Sequence, residues 1–307
     1  MMSPSFKPDE AIPSLKDKVI LVTVGNIGLG KETILRLAKH NPAKIYMASR
    51  TESKARDAIK SINAVLSEPA VIEYLPLDLS SLKSVQRAAQ RVSASSERLD
   101  ILILNAGIMA VPATKSESGH DIQLSTNHIG HFTLTKLLLP LLDKTAGQPG
   151  SDVRIVSLAS EAYQMSPSID VIISKEKLEK TGNWTRYGAS KASNILFAAE
   201  MARRYPMFMT VSLHPGMIKT DLWKPNNEHK SLAGFFIGFG ERFGKSVQEG
   251  ALNELWCAVG AKRGELRNGG YYTPVGKLKS SNKWANDTVA GKKLWDWTDE
   301  QVREAGY

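Results

Sequence analysis

Val19-Ile20-Leu21-Val22-Thr23-Val24-Gly25-Asn26-Ile27-Gly28-Leu29-Gly30 is the stretch on which the fold reading turns. Its apolar, β-branched opening predicts a strand over residues 19–24, and the pattern after the glycines predicts a helix over 29–39. Glycines between a strand and a helix let the backbone turn tightly and approach a pyrophosphate, whose charge the helix N-terminus stabilises. Gly25, Asn26, Ile27, Gly28 and Leu29 are therefore candidate contacts of a dinucleotide. A plain tight turn is the competing reading; placement after the first strand and before a helix favours the nucleotide.

Working outward, the same unit recurs. Short β-branched runs at 44–48, 71–76, 101–104, 153–158 and 209–213 alternate with amphipathic stretches at 53–65, 82–93, 129–142 and 187–204. Such alternation predicts parallel strands joined by crossover helices, hence an α/β fold: one Rossmann-type doubly wound parallel sheet with helices on both faces. The expected organisation is an N-terminal extension (1–17), a nucleotide-binding domain (18–276) and a C-terminal flap (277–307) holding Trp284, Trp295 and Trp297. Two polar inserts, 162–185 and 217–245, interrupt the rhythm and are read as substrate loops beyond the carboxyl ends of strands. A last strand is expected over 271–275.

Bulk properties exclude several classes. The 307 residues carry a net charge of +9, but the Lys and Arg residues are spread along the chain, with no basic block interleaved with aromatics, so no nucleic-acid partner is expected. The single cysteine, Cys257, sits in an apolar helical stretch and fits a reducing compartment. No signal-peptide core and no apolar run of about 20 residues is present, so the expectation is a cytoplasmic protein without stable membrane insertion. No metal-ligand cluster is expected.

The second strand ends Ala48-Ser49-Arg50, where an NAD-specific site would carry a carboxylate for the ribose 2′-hydroxyl. Arg50 would pair with a 2′-phosphate and Ser49 would donate to it, which points to NADP(H); a solvated loop arginine is the alternative. Asp78 is placed to accept from the adenine amino group, or to cap the helix that follows. Tyr187-Gly188-Ala189-Ser190-Lys191 puts a phenol and an ammonium one helical turn apart, and a nearby cation favours the phenolate. Ser160, closing the fifth strand, is placed to hold a substrate oxygen while Tyr187 transfers the proton. Ser157 lies on the opposite strand face and is the weaker candidate. Asn127 opens an apolar helix, where holding a water beside Lys191 competes with capping or kinking.

With these residues in view, the chain resembles the short-chain dehydrogenase/reductases, in the branch of retinol-dehydrogenase-like and fungal secondary-metabolite oxidoreductases. The resemblance runs from about Lys18 to Tyr271 and rests on the glycine loop, Asp78-Leu79, Asn105-Ala106-Gly107, Asn127, Ser160, Tyr187 with Lys191, and His214-Pro215-Gly216 leading through Ile218 to Thr220. It implies that Tyr187 is the acid–base, that Lys191 binds the nicotinamide ribose and tunes Tyr187, and that Ser160 positions the carbonyl. It also implies that Asn127 supports a proton relay and that Asn105, Ala106 and Gly107 steady the central strand beside the cofactor. Pro215, Gly216, Ile218 and Thr220 would meet the nicotinamide end. Two positions depart from the family pattern: Val24 replaces the first loop glycine, and Leu104 replaces a second Asn.

The expected activity is reversible hydride transfer between NADP(H) and a carbonyl of a hydrophobic small molecule, with Phe235, Phe236, Ile237 and Phe239 covering the substrate. A non-redox enzyme of the same fold and an NADP(H)-sensing regulatory protein are the alternatives. A homodimer through the helices carrying Asn127 and Tyr187 is a further implication of the resemblance.

Overall fold

The computed structural model describes residues 6–218 and 244–307. Helix α1 (Pro8–Ala11) precedes β1 (Val19–Thr23), α2 (Gly28–Ala38), β2 (Lys44–Ser49), α3 (Glu52–Asn63), β3 (Ile72–Pro76), α4 (Leu82–Ser95) and β4 (Ile101–Leu104). A short helix α5 (Ile122–Leu124) runs through a π-turn (Ser125–Ile129) into α6 (Gly130–Ala146), followed by β5 (Arg154–Leu158). The 3-10 turn Glu161–Met165 and helices α7 (Ile169–Ile172) and α8 (Lys175–Glu179) lead to α9 (Asn183–Arg204) and β6 (Met209–Leu213). The chain closes with α10 (Val247–Leu255), β7 (Tyr271–Thr273), β8 (Lys277–Leu278), α11 (Lys283–Asn286) and α12 (Thr288–Glu304).

The strands form one sheet in the order β3-β2-β1-β4-β5-β6-β7-β8, parallel except for the β7–β8 hairpin. The order reverses between β1 and β4, which opens a crevice above their carboxyl ends. Strand residues divide alternately between two cores. Val19, Leu21, Tyr46 and Ala48 pack with α4, α6, α9 and α12, whereas Ile20, Val22, Ile45 and Met47 pack with α2, α3 and α10. A sheet covered on both faces explains why its strands read as unbroken apolar runs.

The predicted strand boundaries differ from the observed ones by a residue or two. Strand β1 stops at Thr23 because Val24 takes a left-handed backbone, φ +52°. The strand expected over 271–275 ends at Thr273, before Pro274, which has no N–H to give a ladder, and a short β8 follows it. Two helical boundaries move further. Helix α9 begins at Asn183, so Tyr187 lies in its second turn instead of opening it. The insert 162–185 is not a plain loop: α7 and α8 are anchored by buried Ile172 and Leu178, in pieces too short to show a 3.6-residue period.

Helix α12 packs across α6 and α9. Trp295 stacks on Phe197 (centroids 6.0 Å apart, planes 4° apart) and meets Phe132 edge-on at 4.9 Å. The Thr298 hydroxyl bonds His128, and Asp299 pairs with Lys136. Helix α12 thus covers part of the surface of the helices carrying Asn127 and Tyr187. Among the described residues, no helix is long and apolar enough to cross a membrane.

Candidate active site

The glycine loop is shaped by close approaches. A β-carbon at Gly25 would stand 2.4 Å from Ile34 Cδ1, and one at Gly30 would stand 2.3 Å from the Val24 carbonyl oxygen and 2.6 Å from Asn105 Nδ2. Gly28 adopts φ +52°, leaving open space above it, and Ile27 is half exposed at the start of α2. Asn26 is buried, and Leu29 packs toward α10 at Gly250. Val24 occupies a conformation that a β-branched residue takes only under strain. Asn105 holds it there, donating from Nδ2 to the carbonyls of Thr23 (2.9 Å) and Val24 (3.3 Å). The Ala106 N–H donates to Thr23 Oγ1 at 2.9 Å, so the turn after β4 clamps the end of β1.

Asn127 lies within the π-turn, a local widening of the helix that re-aims side chains and recurs at functional sites. It is fully buried. Its Oδ1 accepts from the Ile108 N–H (2.8 Å), while Nδ2 is 2.9 Å from both the Ile108 carbonyl and Ser190 Oγ. A β-carbon at Gly107 would lie 3.2 Å from Lys191 Nζ and 3.5 Å from Asn127 Oδ1, so glycine lets both groups converge there.

Ser160 follows β5, where Oγ accepts from the Ala162 N–H at 3.2 Å and lies near enough to the Tyr187 phenol to act on its pKa. Gly188 makes this possible: a β-carbon there would lie 2.6 Å from the Ala162 carbonyl, so only glycine lets the turn after Ser160 close against α9. Lys191 Nζ donates to the Leu158 carbonyl at 3.0 Å and lies 5.7 Å from the Tyr187 ring centroid. Asn194 donates to the same carbonyl at 2.9 Å. Burial pushes the Lys191 pKa down to about 8. Burial also pushes the Tyr187 phenol up to about 12, and Ser160 only partly offsets it. The lowered phenol pKa expected from the neighbouring ammonium is therefore not what the structure has. The ammonium faces a backbone carbonyl, and desolvation of the buried phenol outweighs it.

Arg50 is exposed at the end of β2, and among the described residues its guanidinium has no ion-pair partner. The Ser49 hydroxyl is buried and, among the described residues, has no hydrogen-bond partner. Asp78 spends Oδ1 on the Ser80 N–H (2.9 Å) and hydroxyl (2.7 Å), a turn-forming role just before α4. The buried Leu79 carries its carbonyl into contact with Gly130, where a β-carbon would be 2.2 Å away. Pro215 and Gly216 (φ +102°) turn the chain at the carboxyl end of β6, and Ile218 is buried beside Gly250. Thr220 and the apolar residues Phe235, Phe236, Ile237 and Phe239 lie outside the described residues. A cavity of about 430 Å³ beside Leu124, Ile172, Leu178 and Trp297 is lined by none of Asn127, Ser160, Tyr187 or Lys191.

Gly188, Asn194 and His131 carry no signal in the sequence that sets them apart as site residues. Gly188 stood inside the Tyr–Lys segment, and no local pattern distinguishes a glycine that admits a neighbouring turn from an ordinary helical one.

Residues 18–231, more than half the chain, match the family model described as short chain dehydrogenase. The chain is 36% identical over 305 residues to a short-chain dehydrogenase/reductase of Armillaria gallica, covering 98% of this chain and 95% of that protein. It is 34% identical over 284 residues to retinol dehydrogenase 11 of Homo sapiens, covering 92% and 85%. Among solved structures it is similar to an uncharacterised protein from Mycobacterium paratuberculosis, at TM-score 0.73 and 26% identity over 97% of each chain.

Proposed function

The chain belongs to the short-chain dehydrogenase/reductase family, and on that premise we propose that it is an NADP(H)-dependent oxidoreductase acting on a carbonyl, or the corresponding alcohol, of a hydrophobic small molecule. One observation carries this reading: Asn127, Ser160, Tyr187 and Lys191, scattered over the sequence, form one connected set at the carboxyl end of the sheet.

The residues present fit the cofactor. Gly25 and Gly30 leave no room for a side chain, Gly28 and Ile27 open outward, and the exposed Arg50 suits a 2′-phosphate. Asp78, Leu79, Asn105, Ala106 and Gly107 would line the adenosine and central portions. Lys191, Tyr187, Pro215, Gly216, Ile218 and Thr220 would meet the nicotinamide half. When bound, the nicotinamide supplies or accepts the hydride.

The chain's own residues handle the proton. Tyr187 keeps its phenolic proton at neutral pH, the form a donor needs, and gives it from Oη to the carbonyl oxygen in reduction; oxidation reverses the transfer. Ser160 Oγ, beside that phenol, holds the substrate oxygen. Lys191 places a positive charge behind the ring, and Asn127 fixes the Ile108 and Ser190 groups around it. The apolar composition of residues 232–239 and the similarity to a protein named for retinol support a hydrophobic substrate.

Titration with NADPH and NADH, followed by fluorescence of the six tryptophans, tests the cofactor. Turnover on a panel of hydrophobic ketones and aldehydes tests the chemistry. Tyr187→Phe should bind NADPH normally and lose about 10²–10⁴ in kcat. Full turnover by that variant would exclude Tyr187 as the acid–base.

A further inference from the structure

His131 stands four residues after Asn127, in the first turn of α6, and is almost wholly buried. Each ring nitrogen has one partner: Nδ1 is 3.0 Å from the Asn127 carbonyl oxygen, and Nε2 is 3.0 Å from Thr23 Oγ1. The polarity of this bridge is forced. A carbonyl can only accept, so Nδ1 carries the proton. Burial, with a smaller contribution from the Lys191 charge, lowers the ring's pKa to about 3, so the imidazole is neutral and Nε2 is left as an acceptor.

Thr23 must then donate its hydroxyl proton to Nε2, in preference to the Ile103 carbonyl at 3.4 Å, while accepting the Ala106 N–H at 2.9 Å. The outcome is a one-way chain from Ala106 N–H through Thr23 Oγ1–H and the His131 ring to the Asn127 carbonyl. It joins the end of β1, the turn after β4 and the π-turn. These segments carry the cofactor loop and Asn127.

We propose that His131 is a positioning residue that locks the glycine loop and the Asn127 π-turn into one relative geometry, its Nε2 serving the loop and its Nδ1 serving the turn. The alternative is a histidine that merely fills the space between β1 and α6. The two differ in what happens when the bonds are removed one at a time. Asparagine reproduces the Nδ1 donor but is too short to reach Thr23. Glutamine can place an acceptor near the Nε2 position but offers no donor to the Asn127 carbonyl.

The experiment compares His131→Asn, His131→Gln and His131→Phe by nucleotide Kd, kcat on a carbonyl that the wild type reduces, and Tm. His131→Asn should raise the NADPH Kd about fivefold to tenfold and keep kcat within about twofold. His131→Gln should keep Kd within about twofold and lower kcat about fivefold to tenfold. His131→Phe should show both losses. Equal losses in the Asn and Gln variants, or a change in Tm alone, would overturn the proposal.

A measurement that needs no variant accompanies these. The imidazole nitrogen shifts of ¹⁵N-histidine-labelled wild type at pH 7 should show a neutral, Nδ1-protonated ring; an Nε2-protonated or cationic ring would overturn the bridge. The inference rests on reading the site as an NADP(H)-dependent oxidoreductase. Were the wild type to bind no nucleotide and reduce nothing, that reading would fail, while the tautomer would still decide whether the bridge exists.

Discussion

The carbonyl oxygen of Val24 lies over Gly30, 2.3 Å from where a β-carbon at position 30 would stand. It points there because Val24 is left-handed, at φ +52°, and is held by Asn105. Two substitutions separate the strain from the shape. Val24→Gly removes a penalty of about 1–2 kcal/mol and adds about 0.5–1 kcal/mol of unfolded-chain entropy. The expected outcome is a small gain in stability with nucleotide affinity kept or improved. Gly30→Ala should instead weaken NADPH binding about tenfold or more, since backbone atoms must move. Chemical denaturation and fluorescence titration check both; a loss above about 1 kcal/mol for Val24→Gly would mean that its packing on the core outweighs the strain.

Arg50 is the residue on which cofactor choice is expected to depend. Arg50→Ala should raise the Kd for NADPH about tenfold to a hundredfold and leave that for NADH nearly unchanged, because a charge-assisted pair with a 2′-phosphate is lost. The NADPH preference should also shrink as salt is raised, since Arg50 is exposed. Equal effects on both nucleotides would place Arg50 outside the phosphate site.

Lys191 and Tyr187 set the alkaline behaviour. The phenol holds its proton to about pH 12, so loss of reductive activity between pH 8 and 10 would report Lys191, whose ammonium titrates at about 8. Stability should run the other way. The unfolded chain binds more protons than the native one between pH 8 and 10.5, so the contribution of Lys191 to stability rises with pH in that window. Lys191→Met should accordingly abolish turnover while raising Tm at pH 7. Rate–pH profiles and thermal melts decide; a drop in Tm would show that the bond to the Leu158 carbonyl matters more than the buried charge.

Glu254 on α10 is fully buried against α2, and among the described residues neither carboxyl oxygen has a hydrogen-bond partner of good geometry. Desolvation raises its pKa to about 7, and Thr33, whose hydroxyl is likewise unbonded, offsets this only in part. The native state binds the extra proton between pH 4.5 and 7, so this group's contribution is full below 4.5 and is lost as pH rises through 7. Glu254→Gln should flatten that slope and stabilise the protein by about 1–3 kcal/mol at pH 7.5. Denaturation across pH 5–8 is the test, and an unchanged slope would contradict it.

Most of the sheet was legible in the sequence because its signals are local. Apolar β-branched runs need cover on both faces, and glycines at Gly25, Gly28 and Gly30 mark a tight turn wherever they follow a strand. The same local signals marked Tyr187 and Lys191, since a helix places residues four apart on one face. Strain at Val24 was foreseeable in the same way, from side-chain branching and the position it fills. The tertiary structure alone decided which groups those residues meet. Thr23 and His131 are 108 residues apart, Asn127 and Ser190 are 63 apart, and Lys191 and Leu158 are 33 apart. It also decided the sign of the Tyr187 shift, because how far water is excluded from a phenol depends on everything packed around it. The sequence by itself determined the fold and nominated the reacting groups; packing determined their protonation, their partners and the bridge through His131, because desolvation and hydrogen-bond geometry exist only once distant segments are brought together.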